Sequence, residues 1–118
     1  MFREGRSDGM KLIKAIIREE RLPFVQKALE EKGIHGMSVW EVKGRGEQKG
    51  LHLQFRGGVF AIDLLPKVCL EVFVPAEKEN DAVEAVINSA RTGKIGDGRI
   101  FVLPVEGSTR IRTGEVEV

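Results

Sequence analysis

The spacing of apolar residues changes along the first third of the chain and divides it into three predicted elements. Residues 11–18 form a short, apolar and β-branched run, which is typical of a buried strand. Apolar residues then recur at helical spacing after Pro23, and Gly33 supplies a stop, so the pattern predicts a helix between them. Alternation over residues 37–42 predicts a second strand.

The second half of the chain repeats this order of elements. Residues 68–74 again have strand character, and a helix follows, at whose start Asp81 and Glu84 resemble a capping arrangement. Residues 99–105 predict a strongly apolar last strand, and Pro104 near its end indicates a sheet edge. The order βαββαβ is the ferredoxin-like pattern, so we expect an α+β sandwich with a long loop between the second and third strands.

This long connection is cationic and punctuated by glycine. Residues 43–56 contain three glycines and four cations against one acid, a local charge of +3, and they have no sustained apolar face. Long loops without secondary structure of their own are uncommon in compact domains unless they have a function. We therefore predict an interaction loop at about 44–63, although such charge runs are often only solvated surface. Its candidate contact residues are Lys43, Arg45, Lys49, Arg56 and Phe60.

Composition narrows the class of protein. The 118 residues suit one domain, which we place at 10–118 behind a flexible leader at 1–9. A net charge of +1 argues against a dedicated nucleic-acid binder. No apolar run is long enough to cross a membrane, and Cys69 is the only cysteine, which excludes an internal disulfide. We expect a soluble cytoplasmic protein.

The strongest chemical signal is the Gly-rich segment at residues 92–102. Three glycines within six residues let a backbone bend sharply and bring its N–H groups close to an anion. They are Gly93, Gly96 and Gly98. Arginines near the segment offer forked donors for phosphate oxygens. They are Arg99, Arg110 and Arg112. The residues alone fit a nucleotide cradle and fit equally a plain turn between a helix and an edge strand.

Several motifs in order carry a resemblance to a known family. They lie at residues 11–18, 36–44, 48–50, 63–67, 92–102 and 110–115. Over residues 10–115 the chain resembles, without a gap, the P-II nitrogen-regulatory signal-transduction proteins. The resemblance implies a homotrimer with nucleotide clefts between subunits, where ATP and ADP compete and where 2-oxoglutarate joins ATP and Mg²⁺.

The resemblance also implies a role for individual residues. Those implied at the nucleotide are Ser38, Glu47, Gln48, Phe73, Gly96, Asp97, Gly98, Arg99, Arg110 and Arg112. Those implied at 2-oxoglutarate are Arg18, Gln48, Lys49, Gly50 and Lys67, with Gln48 also the Mg²⁺ ligand. In family terms the interaction loop resembles the T-loop that engages targets. The first expected target is an ammonium transporter, with Arg56 entering its exit, and glutamine synthetase or nitrogenase control is the alternative. Contact with a membrane would occur only through a transporter.

Two positions depart from the family pattern. Phe60 stands where many bacterial relatives carry a uridylylated tyrosine, and it has no hydroxyl to modify. Glu47 stands where an arginine often contacts the terminal phosphate, and a carboxylate there would repel a polyphosphate unless it met a cation. The preference between ATP and ADP and the binding of 2-oxoglutarate therefore stay open at this point.

Other classes of protein fit the sequence less well. A small ATPase would need a nucleophile and base, and no Ser–His or Cys–His pairing is evident. Asp97 is the only carboxylate near the expected phosphates, so slow ATP hydrolysis is the enzymatic alternative to a regulatory binding protein. An RNA-recognition domain would need exposed aromatics and a basic sheet face, whereas this chain has no tyrosine and is nearly neutral.

Overall fold

The computed structural model describes residues 9–45, 52–55, 58–61 and 64–117, with the backbone alone at 52–55 and 58–61. Its strands are β1 Met10–Ile17, β2 Ser38–Gly44, β3 His52–Phe55, β4 Gly58–Ala61, β5 Leu65–Pro75, β6 Gly98–Val105, β7 Ser108–Thr109 and β8 Val116–Glu117. Its helices are α1 Leu22–Glu31 and α2 Glu79–Ala90, each preceded by a single 3-10 turn, Glu19–Arg21 and Ala76–Lys78.

Four strands form one antiparallel sheet in the order β2-β5-β1-β6. This strand order, with α1 after β1 and α2 after β5, confirms the predicted ferredoxin-like α+β fold. Strand β6 lies at an edge of this sheet, as Pro104 indicated. A proline is tolerated at an edge because it removes no hydrogen bond from the interior of the ladder. Neither helix in the described ranges has the length and apolar composition needed to cross a bilayer.

The core lies between one face of this sheet and the two helices. Alternate residues of the central strands are buried, Ile13, Ala15 and Ile17 on β1 and Val68, Leu70, Val72 and Val74 on β5. They pack in one cluster with the buried helix residues Val25, Leu29, Ala82, Ala85, Val86 and Ala90. Removal of this apolar surface from water is what holds the helices on the sheet.

The opposite, open face of the sheet is also largely apolar. Trp40, Cys69, Ile16 and Arg99 lie side by side across the four strands of that face. Cys69 is buried there, and burial raises the pKa of its thiol. Four large side chains of the face, in contrast, remain 41–53% exposed. They are Trp40, Phe73, Phe101 and Leu103.

The two ends of α1 and the start of α2 test the helix signals found in the sequence. Helix α1 has Pro23 in its first turn and ends before Gly33, which has a φ of 78°, so both predicted signals are confirmed. Helix α2 begins at Glu79 with Lys78 at its N-cap and no side-chain cap, so the predicted capping arrangement of Asp81 with Glu84 is wrong. The 3-10 turn after β5 starts the helix earlier. Asp81 therefore lies inside the first turn, where the helix dipole favours an acid.

The predicted interaction loop is not without secondary structure. Strands β3 and β4 pair from His52 with Ala61 to Phe55 with Gly58 and form a separate two-stranded ladder. The sequence alternates polar and apolar residues over 52–55, a short strand pattern that the surrounding charge and glycine obscure. The expectation of an irregular segment is therefore wrong for these eight residues.

Candidate functional site

A tight Gly-rich turn, residues 92–97, connects α2 to β6. Gly93, Gly96 and Gly98 all have positive φ, at 88°, 102° and 105°. At Gly98 a Cβ atom would lie 1.8 Å from the carbonyl oxygen of Ile16 on β1. Only glycine therefore lets the chain enter β6 at this point, since any side chain would collide with the neighbouring strand.

The carboxylate of Asp97 holds this turn closed. It accepts hydrogen bonds from the backbone N–H groups of Thr92 at 2.8 Å and Gly93 at 2.9 Å, and from the Thr92 hydroxyl. It also accepts from Nε of Arg18 at 2.9 Å. The hydrogen bond from the Thr92 hydroxyl, then those from Arg18 and the two N–H groups, hold the pKa of Asp97 well below its usual range against the opposing effect of burial.

Two cations outside the turn bind its carbonyl oxygens. Arg18, just after β1, donates from Nη2 to the carbonyl of Ile95 at 2.8 Å. Lys67 on β5 donates to the carbonyl of Gly96. Burial lowers the pKa of the Lys67 ammonium, and the Arg18 guanidinium lowers it further. Arg18 and Lys67, expected at 2-oxoglutarate, thus both lie against the Gly-rich turn.

An open cleft of about 560 Å³ lies beside the turn. We call it the cationic cleft, because four of its lining residues are cations and Asp97 is its one acid. The cations are Arg45, Lys67, Lys94 and Arg99. Gly44, Gly96 and Gly98 leave backbone exposed, while Ile16 and Phe101 supply an apolar floor. Glycine backbone surrounded by cations suits a phosphate or carboxylate ligand.

The structure therefore brings together part of the predicted set around the cationic cleft and the turn. These residues are Arg18, Lys67, Gly96, Asp97, Gly98 and Arg99. Arg45 joins them from the beginning of the predicted interaction loop, and Lys43 is exposed on β2 beside it. Arg99 is exposed and makes no hydrogen bond or ion pair within the described part of the chain.

A second group of predicted nucleotide residues lies elsewhere on the same chain. Ser38 is on the edge strand opposite β6, three strand spacings or about 14 Å across the sheet. Phe73 pairs with Leu12 of β1, whereas Arg99 pairs with Ile16 of β1. Phe73 and Arg99 are therefore offset by four residues, or about 13 Å, in the direction of β1. None of Ser38, Phe73, Arg110 and Arg112 lines the cationic cleft.

The two tail arginines belong to a small hairpin formed by β7 and β8. Arg110 pairs with Glu117 at 3.2 Å and with Glu115 at 3.9 Å and is 57% exposed. Exposed pairs of this kind contribute little stability, so a better anion can displace them. Arg112 is exposed.

Several predicted residues fall outside what the structure describes. Glu47, Gln48, Lys49, Gly50 and Arg56 lie outside the described residues, as does the side chain of Phe60. Within the described ranges, no group of three or more His, Cys, Asp or Glu residues could hold a metal ion. The expected Mg²⁺ ligand Gln48 is therefore still a sequence prediction.

Sequence reasoning assigned no role to Thr92 or Lys94. Thr92 closes the turn, since its hydroxyl donates to Asp97 and accepts from the N–H of Lys94 at 3.2 Å. The signal was a threonine just before the first glycine, since a threonine hydroxyl can accept from the backbone N–H two residues on and form a local turn. Lys94 lines the cleft and could have been found from its place between the glycines.

Comparison with known proteins decides the family. The family model of Nitrogen regulatory protein P-II matches residues 10–115. The chain belongs to the P-II family. Nitrogen regulatory protein P-II 1 of Methanothermobacter thermautotrophicus is 54% identical over 106 residues, which cover 90% of this chain and 92% of that relative. The P-II proteins of Rhodobacter capsulatus and Haemophilus influenzae are each 51% identical, covering 90% of this chain and 95% of theirs.

The resemblance inferred from the sequence motifs is thus confirmed over their whole span. As a P-II chain, this protein is a signal transducer of nitrogen regulation, and its relatives carry the name of regulators rather than of enzymes. The Gly-rich turn and the cationic cleft both lie within the matched residues.

Proposed function

We propose that this P-II chain acts as a homotrimeric sensor that binds ATP or ADP in clefts between its subunits. In this proposal 2-oxoglutarate joins ATP with Mg²⁺, and the segment 44–63 responds by binding or releasing a target. An ammonium transporter is the first proposed target, with glutamine synthetase or nitrogenase control as the alternative.

The observation that carries the proposal is that the predicted nucleotide residues do not all meet on one chain. The cationic cleft holds Lys67, Gly96 and Arg99, while Phe73 and Arg112 lie outside it. The hydrogen-bonded sheet fixes the separation of Phe73 from Arg99 within one chain. A neighbouring copy can supply the missing half, because every copy exposes both halves.

The open face of the sheet supports assembly of copies. Monomeric proteins rarely leave a wide contiguous apolar patch in water, and such patches mark contact surfaces. Here Trp40, Phe73, Phe101 and Leu103 are 41–53% exposed on one face, around a central ion pair of Lys14 with Glu71. A second copy of this chain is the partner that the two separated half-sites call for.

The cleft supports a binding role better than ATP hydrolysis. A general base must be free to accept a proton and needs a pKa near the working pH. Asp97 is the acid that lines the cleft, its two oxygens accept four hydrogen bonds within the chain, and its pKa is lowered. A carboxylate in this state is a poor base for activating water.

The cleft also joins ligand binding to the segment that would contact a target. Gly44 ends β2 and Arg45 follows it, and both line the cleft. A ligand that contacts Arg45 therefore acts directly on the start of the 44–63 segment. Such a ligand shifts the segment between states only if it binds those states with different affinity.

Calorimetric titration tests the proposed function. We expect ATP and ADP to bind, AMP to bind more weakly because it lacks the outer phosphates, and 2-oxoglutarate to tighten ATP only when Mg²⁺ is present. The Arg99→Ala variant should bind ATP about tenfold more weakly or worse, since it removes a charge-assisted donor. Absence of any nucleotide binding at millimolar concentration would refute the sensor.

A further inference from the structure

The tail hairpin of β7 and β8 holds its two arginines in different ways. Its backbone is closed by two hydrogen bonds, from the N–H of Arg110 to the carbonyl of Glu115 at 2.8 Å and from the N–H of Gly114 to the carbonyl of Arg110 at 2.7 Å. Arg112, inside this turn, is exposed and makes no hydrogen bond or ion pair with the residues that the structure describes. Arg110, in contrast, has carboxylates beside its guanidinium.

Two acids of the hairpin lie against two nitrogens of the Arg110 guanidinium. Nη2 donates to Oε2 of Glu117 at 3.2 Å, and Nε lies 3.9 Å from Oε1 of Glu115. We call these three side chains the tail clamp. The backbone of Glu117 pairs with Ser108, so the hairpin places this acid independently of its ion pair. A ligand oxygen that binds Nη2 or Nε must therefore compete with a carboxylate that is already there.

We propose that the tail clamp is an autoinhibitory contact, in which the carboxylate of Glu117, assisted by Glu115, competes with the phosphates of a nucleotide for Arg110. This inference rests on the proposed function and deepens it. The clamp lowers the affinity of each anion that uses Arg110. Arg112 remains open, so a phosphate can bind it without displacing an acid of this chain.

The exposure of the clamp determines how strongly it competes. The side chain of Arg110 is 57% exposed and that of Glu117 is 40% exposed, so water and salt screen the pair. Breaking an exposed pair of this kind changes an equilibrium by about two- to fivefold. A polyphosphate brings several negative charges to the same guanidinium and can therefore displace the carboxylate. The clamp thus reduces nucleotide affinity without blocking the site.

Three variants isolate the contribution of the clamp. Glu117→Gln removes the negative charge, keeps the shape of the side chain and leaves the backbone pairing with Ser108 intact. Glu106→Gln is the matched control, because it removes the same charge from an exposed acid four residues before Arg110 that has no ion pair within the described ranges. Arg110→Ala removes the cation for which the acids compete, so Glu117→Gln in that background completes a double-mutant cycle.

Calorimetric titration with ATP, at constant Mg²⁺ and ionic strength, measures the effect of each variant. Glu117→Gln should bind ATP about two- to fivefold more tightly, with an unchanged melting temperature. Glu106→Gln should change the affinity by less than about 1.5-fold, since salt screens an exposed charge that has no partner. In the Arg110→Ala background, Glu117→Gln should likewise change the affinity by less than about 1.5-fold, because the cation for which it competes is gone.

The outcomes distinguish this inference from the proposed function. Unchanged or weaker ATP binding by Glu117→Gln would overturn the clamp, and so would an equal gain in Glu106→Gln or in the Arg110→Ala background. If the unmodified chain binds no nucleotide, the proposed function fails. Inorganic tripolyphosphate, titrated while the Nε–Hε signal of Arg110 is followed by NMR, then tests the clamp by itself. Tighter binding to Glu117→Gln than to the unmodified chain would support it, and equal binding, or none, would overturn it.

Discussion

At the scale of single residues, Gly98 and Asp97 impose the strictest conditions on the site. Gly98 has a φ of 105°, and the carbonyl oxygen of Ile16 occupies the position that a Cβ atom of residue 98 would need. The carboxylate of Asp97 accepts hydrogen bonds from the turn that it closes and from Arg18. One residue thus sets how closely β6 approaches β1, and the other sets the turn before it.

Gly98→Ala should lower the free energy of unfolding by several kcal/mol, because a positive φ and a backbone collision act together. Gly36→Ala is the matched control, since a Cβ there meets no atom within 4 Å and its φ is not in the left-handed region. We expect the control to change stability by less than about 0.5 kcal/mol. Urea unfolding measures both, and equal effects for the two variants would contradict the assigned close approach.

The lowered pKa of Asp97 predicts a pH dependence of stability. A carboxylate whose folded pKa is depressed stabilises the fold above its unfolded pKa of about 3.9, and this contribution is lost as pH falls through the folded pKa. The stability difference between the unmodified chain and Asp97→Asn should therefore be largest near neutral pH and should shrink below about pH 4. Urea unfolding of both proteins at a series of pH values measures this difference in the free energy of unfolding. A difference that does not change with pH would contradict the lowered pKa of Asp97.

At the scale of elements, the strands and helices that face the core were predictable because burial leaves a period in the sequence. Strand β1 buries alternate residues, and α1 buries Val25 and Leu29 one turn apart, so each had a visible pattern. The start of α2 was not predictable from a capping motif, because the preceding 3-10 turn, and not a side chain, begins the helix.

The short hairpins had too little pattern to be predicted. Strands β3 and β4 have four residues each and lie outside the main sheet, and β7 and β8 have two each. A pattern of two to four residues is too short to stand out from the glycines and charges around it.

The candidate site was predictable in composition but not in arrangement. Glycine spacing predicted a sharply bent backbone, and the positive φ angles of the three glycines agree with that prediction. The sequence did not indicate that Asp97 faces Thr92 and Arg18, because spacing alone does not determine whether an acid faces its own backbone or a ligand. The division of the predicted residues into two groups was hidden for the same reason, since it depends on the sheet order β2-β5-β1-β6.

At the scale of the whole molecule, the residues proposed for the nucleotide site lie on different parts of the surface of one chain. One half is the cationic cleft with Arg99, and the other includes Phe73 on the open face and Arg112 in the tail hairpin. In a ring of identical copies the same two surfaces meet repeatedly, so one contact generates every site. The central claim is that nucleotide binds where these two halves from different copies meet.

Mixing two variants that are each defective in one half tests that claim most directly. Arg99→Ala damages the cleft half and Arg112→Ala damages the tail half, and each homo-oligomer should bind ATP about tenfold more weakly or worse. The two variants are co-refolded in equal amounts, and native mass spectrometry verifies that mixed oligomers form. If the site joins two copies, about a quarter of the junctions in a random mixture combine two intact halves and should regain full affinity for ATP. Mixed oligomers that regain no high-affinity site would contradict the account, because a site contained within one chain cannot be restored by its neighbour.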